Sequence, residues 1–167
     1  GQQTPAAAWV NGPTTSALAR YQHYASSATQ ANASFVPAAT DYIYVGGGTA
    51  NGTSNLMSLD SARVQAGGQL SAWAATGASI SSFGGGATLA APYLYSFGDE
   101  MPSDAIFAGQ ISSTAPPAIT NFNNNGNRLT TPRYLPGTSL QGAYIFLAGG
   151  STTGRTAATN SVEAMIW

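Results

Sequence analysis

Two groups of side chains in this sequence carry residue types that could do chemistry. The first group is acidic and lies within six consecutive positions; it consists of Asp99, Glu100 and Asp104. Carboxylate oxygens are the hard ligands that calcium prefers, so this group predicts a calcium site. We expect no other metal and no cofactor. The alternative is that the three acids lie in a solvated turn that follows a strand.

The second group is aromatic and basic and could bind a ligand. Aromatic faces stack on sugar rings or on peptide side chains, and arginine presents a fork of hydrogen-bond donors. The candidate ligand-binding residues are Arg20, Tyr21, His23, Tyr24, Arg133 and Tyr134. The alternative for the arginines is structural, because an arginine can also hold neighbouring sheets together by donating to their backbone carbonyls. His23 could likewise donate to a backbone carbonyl instead of contacting a ligand.

The residue inventory disfavours catalysis. His23 is the only histidine, so a Ser-His-Asp triad cannot be argued from this chain. The absence of cysteine excludes a cysteine nucleophile, a thiolate metal site and a disulfide framework. We therefore expect no catalytic residues. An enzyme remains an alternative if its catalytic residues lie partly in a partner chain.

The overall composition limits the kinds of partner. Charged residues make up 7% of the chain, against roughly 25% in an average domain. The net charge is −1 and lysine is absent, so the chain has no electrostatic footprint for nucleic acid. No apolar run approaches the roughly 20 residues of a membrane helix, and we expect no membrane insertion. A surface covered by Ser, Thr, Asn, Gln and Gly is typical of secreted proteins, which predicts an extracellular or cell-surface location.

The elements that must position these side chains are indicated by an internal repeat. Three short aromatic segments begin at Tyr42, Tyr93 and Tyr144, which are 51 positions apart, and glycines 47, 98 and 149 keep the same spacing. A repeat of roughly 40–50 residues around a short strand is typical of a β-propeller blade. The repeat therefore predicts an all-β chain with three blades, each made of four antiparallel strands.

The predicted blades span residues 10–73, 74–122 and 123–167, with residues 1–9 completing the third. The first blade is predicted to end at Trp73 and the second at Phe122, whereas the third lacks such a closing segment. Residues 1–9 end in Trp9 and resemble residues 67–73, so the termini are predicted to share a blade. The alternative is that Trp9 anchors an irregular N-terminal segment. Opening strands are expected within 17–24, 79–89 and 129–140.

These segments resemble the kelch repeat, in which an aliphatic and aromatic strand ends in Gly-Gly and a return strand and a tryptophan follow. The stretches 42–73 and 144–167 match best, and the pattern from Ala62 to Trp73 looks like the form common in secreted bacterial kelch proteins. The middle repeat departs from the pattern, with Gly98-Asp99 in place of Gly-Gly and Phe122 in place of the tryptophan. The resemblance covers nearly the whole chain and implies a β-propeller. It says little about function, because kelch proteins include enzymes, adhesins, lectin-like modules and scaffolds.

Three blades do not close a ring, because propellers typically have 4–8. Two chains would supply six blades, so the sequence predicts a partner: a second copy or a missing propeller half. The function we expect is a non-catalytic extracellular binding or interaction module, for a glycan or a protein ligand, that needs oligomerisation to close. One alternative is a structural subunit of an extracellular filament or surface assembly. Another is a fragment of a larger propeller oxidase or hydrolase.

Overall fold

The computed structural model describes residues 24–27, of which only the backbone is considered, and 41–49, 56–65, 69–80, 85–99, 101–153 and 156–167. All regular structure within these ranges is β-strand, as the repeat predicts. No helix in the described ranges is long and apolar enough to cross a membrane.

The strands form three antiparallel sheets that follow one another along the chain. The first sheet contains β1 (Tyr24–Ser27), β2 (Tyr42–Gly46), β3 (Ser58–Arg63) and β4 (Ala74–Ser79). The second contains β5 (Gly86–Ala90), β6 (Tyr93–Phe97), β7 (Ser103–Ile111) and β8 (Ile119–Arg133). The third contains β9 (Gly137–Gln141), β10 (Tyr144–Ala148) and β11 (Val162–Ile166). Spatial order equals sequence order in each sheet.

Equivalent strands of the three sheets lie side by side. The first strands are neighbours, with β1 beside β5 and β5 beside β9, and the fourth strands β4 and β8 are also neighbours. Sheets that stack face to face with their first strands together and their fourth strands together are arranged as blades around an axis. The chain is therefore a propeller-like, all-β fold of three blades, which confirms the predicted fold class.

The repeated aromatic strands β2, β6 and β10 set the direction in which the sheets stack. Successive side chains of a strand point to opposite faces, so Tyr42 and Tyr44 share one face of the first sheet, and Ile43 and Val45 share the other. The two tyrosines belong to a core that includes Leu89 and other apolar residues of the second sheet. We call the face toward the next sheet the forward face and the opposite one the backward face.

The second sheet repeats this arrangement one step along. Tyr95 and Phe97 lie on its forward face, in a second core with Ile145 and Leu147 of the third sheet. Leu94, on its backward face, lies in the core shared with the first sheet. Aromatic side chains therefore point forward and aliphatic side chains point backward. The alternation inside each short repeat encodes the order of stacking.

The repeated glycines release the chain from the aromatic strands. Gly47, Gly98 and Gly149 all have positive φ, at 66°, 77° and 64°, a region that costs other residues about 1–2 kcal/mol. At Gly98 space is also short, because a Cβ would lie 2.6 Å from the backbone oxygen of Arg133. Glycine is thus required where the end of β6 approaches the end of β8.

The predicted boundary after Trp73 falls too early. The fourth strand of the first sheet is β4, which begins at Ala74 and pairs with β3. This strand buries Thr76, whose hydroxyl donates to the Leu59 carbonyl at 2.8 Å. Small residues dominate β4, and their weak apolar alternation gives no strand signal in the sequence.

The second boundary, after Phe122, falls inside β8. β8 continues through the asparagine-rich stretch 123–127, whose composition is typical of a loop, and ends at Arg133. The pairing of β8 with β7 is interrupted by several register shifts. The side chains of Asn124 and Asn125 accept hydrogen bonds from the backbone two residues on, at 2.9 and 3.0 Å. Turn chemistry is therefore present, but it bends the strand through bulges without ending it.

The third sheet has three described strands where the other two have four. Its outermost described strand, β11, pairs with β10 on one side. Residues 1–9, which are predicted to complete this blade, lie outside the described residues. The predicted opening strand 79–89 overlaps β5 at 86–89. The predicted strand 129–140 overlaps β9 only at 137–140, because 129–133 belong to β8. Only Tyr24 of the stretch 17–24 is described.

Candidate functional surfaces

Arg133 lies at the C-terminal end of β8 and is fully buried. Its Nε and Nη2 donate to Oε1 of Glu163 at 3.2 and 2.9 Å. Nη1 donates to the carbonyls of Gly149 and Ser161, at 2.5 and 3.1 Å, and Nη2 also donates to the Ser161 hydroxyl at 2.8 Å. These five hydrogen bonds match in number the five N–H donors that a guanidinium carries.

Glu163 completes this cluster from the third sheet. Its carboxylate also accepts hydrogen bonds from the backbone amides of Thr130 and Thr131, at 2.6 and 3.1 Å. Burial alone would raise the pKa of the Glu163 carboxyl, but the hydrogen bonds from Arg133 and from the two amides, with the Arg133 charge, hold that pKa below its usual value. The cluster therefore holds an ion pair that ties β8 of the second sheet to the third sheet.

The burial of Arg133 is at odds with the predicted ligand-binding role. A ligand would have to displace contacts inside the chain to reach its guanidinium, so the geometry corresponds to the structural alternative. Tyr134 is also buried, at 3% exposure, and its backbone exchanges two hydrogen bonds with Ser151, both 2.8 Å long. Glu163 is the partner that the sequence analysis missed. The sequence feature that could have indicated Glu163 is its position as an acid between the apolar residues Val162 and Ala164.

The remaining predicted ligand residues are not brought together by the described structure. Arg20, Tyr21 and His23 lie outside the described residues, and Tyr24 is the first residue of β1, where only the backbone is described. The prediction that these four residues contact a ligand stays a prediction.

The two described residues of the predicted calcium site, Asp99 and Asp104, have different surroundings. Asp104, on β7, forms an ion pair with Arg128 of β8, with 2.5 Å between Oδ1 and Nη1. Asp99 follows Gly98 and is half-buried, and Glu100 lies outside the described residues. Within the described ranges no three acidic or histidine side chains form a cluster that could hold a metal. The calcium site also stays a prediction.

The forward face of the third sheet is an exposed apolar surface. Alternation and register place Tyr144, Phe146, Val162, Ala164 and Ile166 on it together. We call these five residues the open forward face. The rings of Tyr144 and Phe146 lie 6.2 Å apart, the same spacing as the Tyr93 and Tyr95 rings of the second sheet.

Equivalent positions show what is different about the open forward face. Leu59, Ile106 and Val162 occupy the same register position in the three sheets, opposite residues 46, 97 and 148. Leu59 is 1% exposed and Ile106 is 3% exposed, whereas Val162 is 62% exposed. The first two are covered by the next sheet, and no described residues cover the third in this way. The open forward face is therefore the surface best suited to a partner.

No family model and no curated protein matches this chain. Among solved structures it is similar to YjhT, a propeller-type protein, with a TM-score of 0.67 and 12% sequence identity. The match covers 95% of this chain and 48% of the YjhT chain, so this chain spans about half the length of its structural neighbour. At this identity the similarity shows the fold alone.

Proposed function

We propose that this chain is a kelch-like propeller half that acts as a non-catalytic extracellular binding module. The observation that carries the proposal is the open forward face, where Val162 is 62% exposed at a position buried in the other two sheets. Large exposed apolar patches mark interaction surfaces. A module with such a face functions as part of an assembly.

The use of charge in the described residues supports a binding role over a catalytic one. Each described arginine forms an ion pair inside the chain: Arg63 with Asp41, Arg128 with Asp104 and Arg133 with Glu163. The carboxylates of these three acids are therefore engaged by arginines of the same chain. The ligand contacts would come from Arg20, Tyr21, His23 and Tyr24, and the ligand would be a glycan or a protein.

A ligand screen tests this proposal. The purified protein would be applied to glycan and extracellular-peptide arrays, and each hit would be measured by calorimetry. Arg20→Ala should weaken binding by at least about tenfold, since arginine is enriched among residues that dominate binding energy. Arg128→Ala is the matched control, because this arginine is exposed and pairs with Asp104. Equal effects of the two substitutions, or no hit on either array, would contradict the proposal.

One observation favours the structural-subunit alternative. The forward face of one sheet meets the backward face of the next, so the contact is heterologous, and a heterologous contact that does not close into a ring propagates as a filament. Fibres in negative stain, together with empty arrays, would support that alternative. A stoichiometric redox metal found by elemental analysis would support the oxidase fragment.

A further inference from the structure

We infer that the open forward face docks onto the backward face of the first sheet of a second copy. The inference deepens the proposed function and rests on it for the claim that the module works as an assembly. Two such contacts, related by a two-fold axis, would join two chains into a ring of six blades, which is inside the range of 4–8 that propellers use.

The two interfaces inside the chain show which surfaces fit together. In each, forward aromatic residues of one sheet meet backward aliphatic residues of the next: Tyr44 with Leu89 and Leu94, and Tyr95 with Ile145. The third sheet presents Phe146 at the position of Tyr44 and Tyr95. It therefore lacks only the aliphatic surface that follows.

A second copy carries that aliphatic surface. Ile43 and Val45, on the backward face of the first sheet, occupy the repeat positions of Ile145 and Leu147, which receive the aromatics of the second sheet. Within one chain Ile43 is half-buried and Val45 is 8% exposed. This acceptor surface is therefore already largely covered within one chain, and docking requires that the cover over Val45 be displaced.

The ends of the third strands support burial of this face. The position at the edge of the forward face is Arg63 in the first sheet, Gln110 in the second and Ile166 in the third. Both covered faces end in a polar residue, and the uncovered face ends in an aliphatic one that is 70% exposed. Apolar residues replace polar ones where a surface is destined for an interface core.

Size and charge are consistent with a second copy as the occupant. This chain accounts for 48% of the length of its structural neighbour, so one more copy supplies nearly all of the remainder. The open forward face carries no charged side chain, and each copy has a net charge of only −1. Two copies can therefore approach with little electrostatic repulsion.

Solution mass and one pair of variants test the inference. The wild type should have twice the 16.9 kDa chain mass by light scattering and sedimentation. Ile166→Asp should weaken dimerisation by at least about 100-fold, because the substitution buries an unpaired carboxylate in both symmetric contacts. Met101→Asp is the matched control, since Met101 is equally exposed, at 70%, and lies outside the open forward face. Circular dichroism would show that both variants keep their strands.

Cross-linking identifies the faces that meet. The chain has no cysteine, so the double variant Ile43→Cys/Phe146→Cys offers one thiol on each proposed surface. A short bis-maleimide should join two chains of the double variant, whereas either single variant should stay uncoupled because the two-fold axis separates identical residues. The product should stop at two chains.

Three results would overturn the inference: a wild-type monomer, a dimer that tolerates Ile166→Asp as well as Met101→Asp, or a cross-linked ladder that continues past two chains. The binding proposal fails separately. Its ligand arrays can be empty for a protein that dimerises as inferred, and a monomer can still bind a ligand through the residues near Arg20.

Discussion

Replacing Arg133 with alanine would remove the guanidinium that joins the second and third sheets. The substitution would leave Glu163 mostly buried with no cationic partner, and it would remove the donors to the carbonyls of Gly149 and Ser161. Breaking a buried pair by removing one partner costs about 3–5 kcal/mol. Because the Glu163 side chain keeps 19% exposure, we expect the lower end, about 3 kcal/mol. This corresponds to a fall in the thermal midpoint of about 6–12 °C.

The measurement is thermal and urea denaturation followed by circular dichroism at one fixed protein concentration, since assembly would otherwise shift the midpoint. Arg128→Ala serves as the control, because the Arg128 side chain is 62% exposed in its pair with Asp104 and exposed pairs contribute at most about 1 kcal/mol. If Arg133→Ala lowered the midpoint no more than Arg128→Ala, the claim that this cluster holds the two sheets together would be refuted.

Three further predictions follow from single groups. The lowered pKa of Glu163 means that its contribution is fully present above the usual value of 4.5 and is lost as pH falls through the lower folded-state pKa; Glu163→Gln should therefore flatten the loss of thermal midpoint on acidification, and an unchanged acid limb would contradict this. Gly98→Ala and Gly126→Ala both place alanine at positive φ, but only at Gly98 would the Cβ meet backbone, at 2.6 Å, while at Gly126 nothing lies within 4 Å; urea titrations should show at least about 1 kcal/mol more loss at Gly98, and equal losses would count against the close approach. Burial raises the pKa of Tyr44 above its usual 10.0, so the free energy of unfolding should fall as pH rises above that value. Tyr44→Phe should make this alkaline fall shallower, and an equally steep fall in the variant would contradict the prediction.

The repeat in the sequence was sufficient to predict the framework of the fold. Equal spacing of Tyr42, Tyr93 and Tyr144 placed the second strand of every sheet, because a blade needs one such strand at each step. The glycine spacing placed the turns, and positive φ at Gly47, Gly98 and Gly149 gives the physical reason for it. These features are local, so a single sequence carries them.

Features that depend on contacts between sheets could not be predicted in the same way. Arg133 is of a residue type that often binds ligands. Only the packing of β8 against the third sheet shows that its donors are used inside the chain. The sequence places the end of the first blade at Trp73, before β4, because Ala74–Ser79 lacks the large apolar side chains that would indicate a strand. The sequence places the end of the second blade inside β8, because asparagines normally indicate the end of a strand. In β8 they accommodate bulges within it.

The direction of stacking adds a constraint that neither the repeat nor the composition contains. Each sheet places aromatics forward and aliphatics backward, so a stack of such sheets ends in an aromatic face on one side and an aliphatic face on the other. Here the aromatic end is open, whereas Val45 of the aliphatic end is 8% exposed. A closed ring removes both ends, and three sheets are too few to form one. Ile166 stands where Arg63 and Gln110 stand in the covered sheets, so the exposed end is more apolar than the buried ones. A surface in permanent contact with water would favour the opposite pattern, which is why a partner for the third sheet is expected from the same physics that packs the first two.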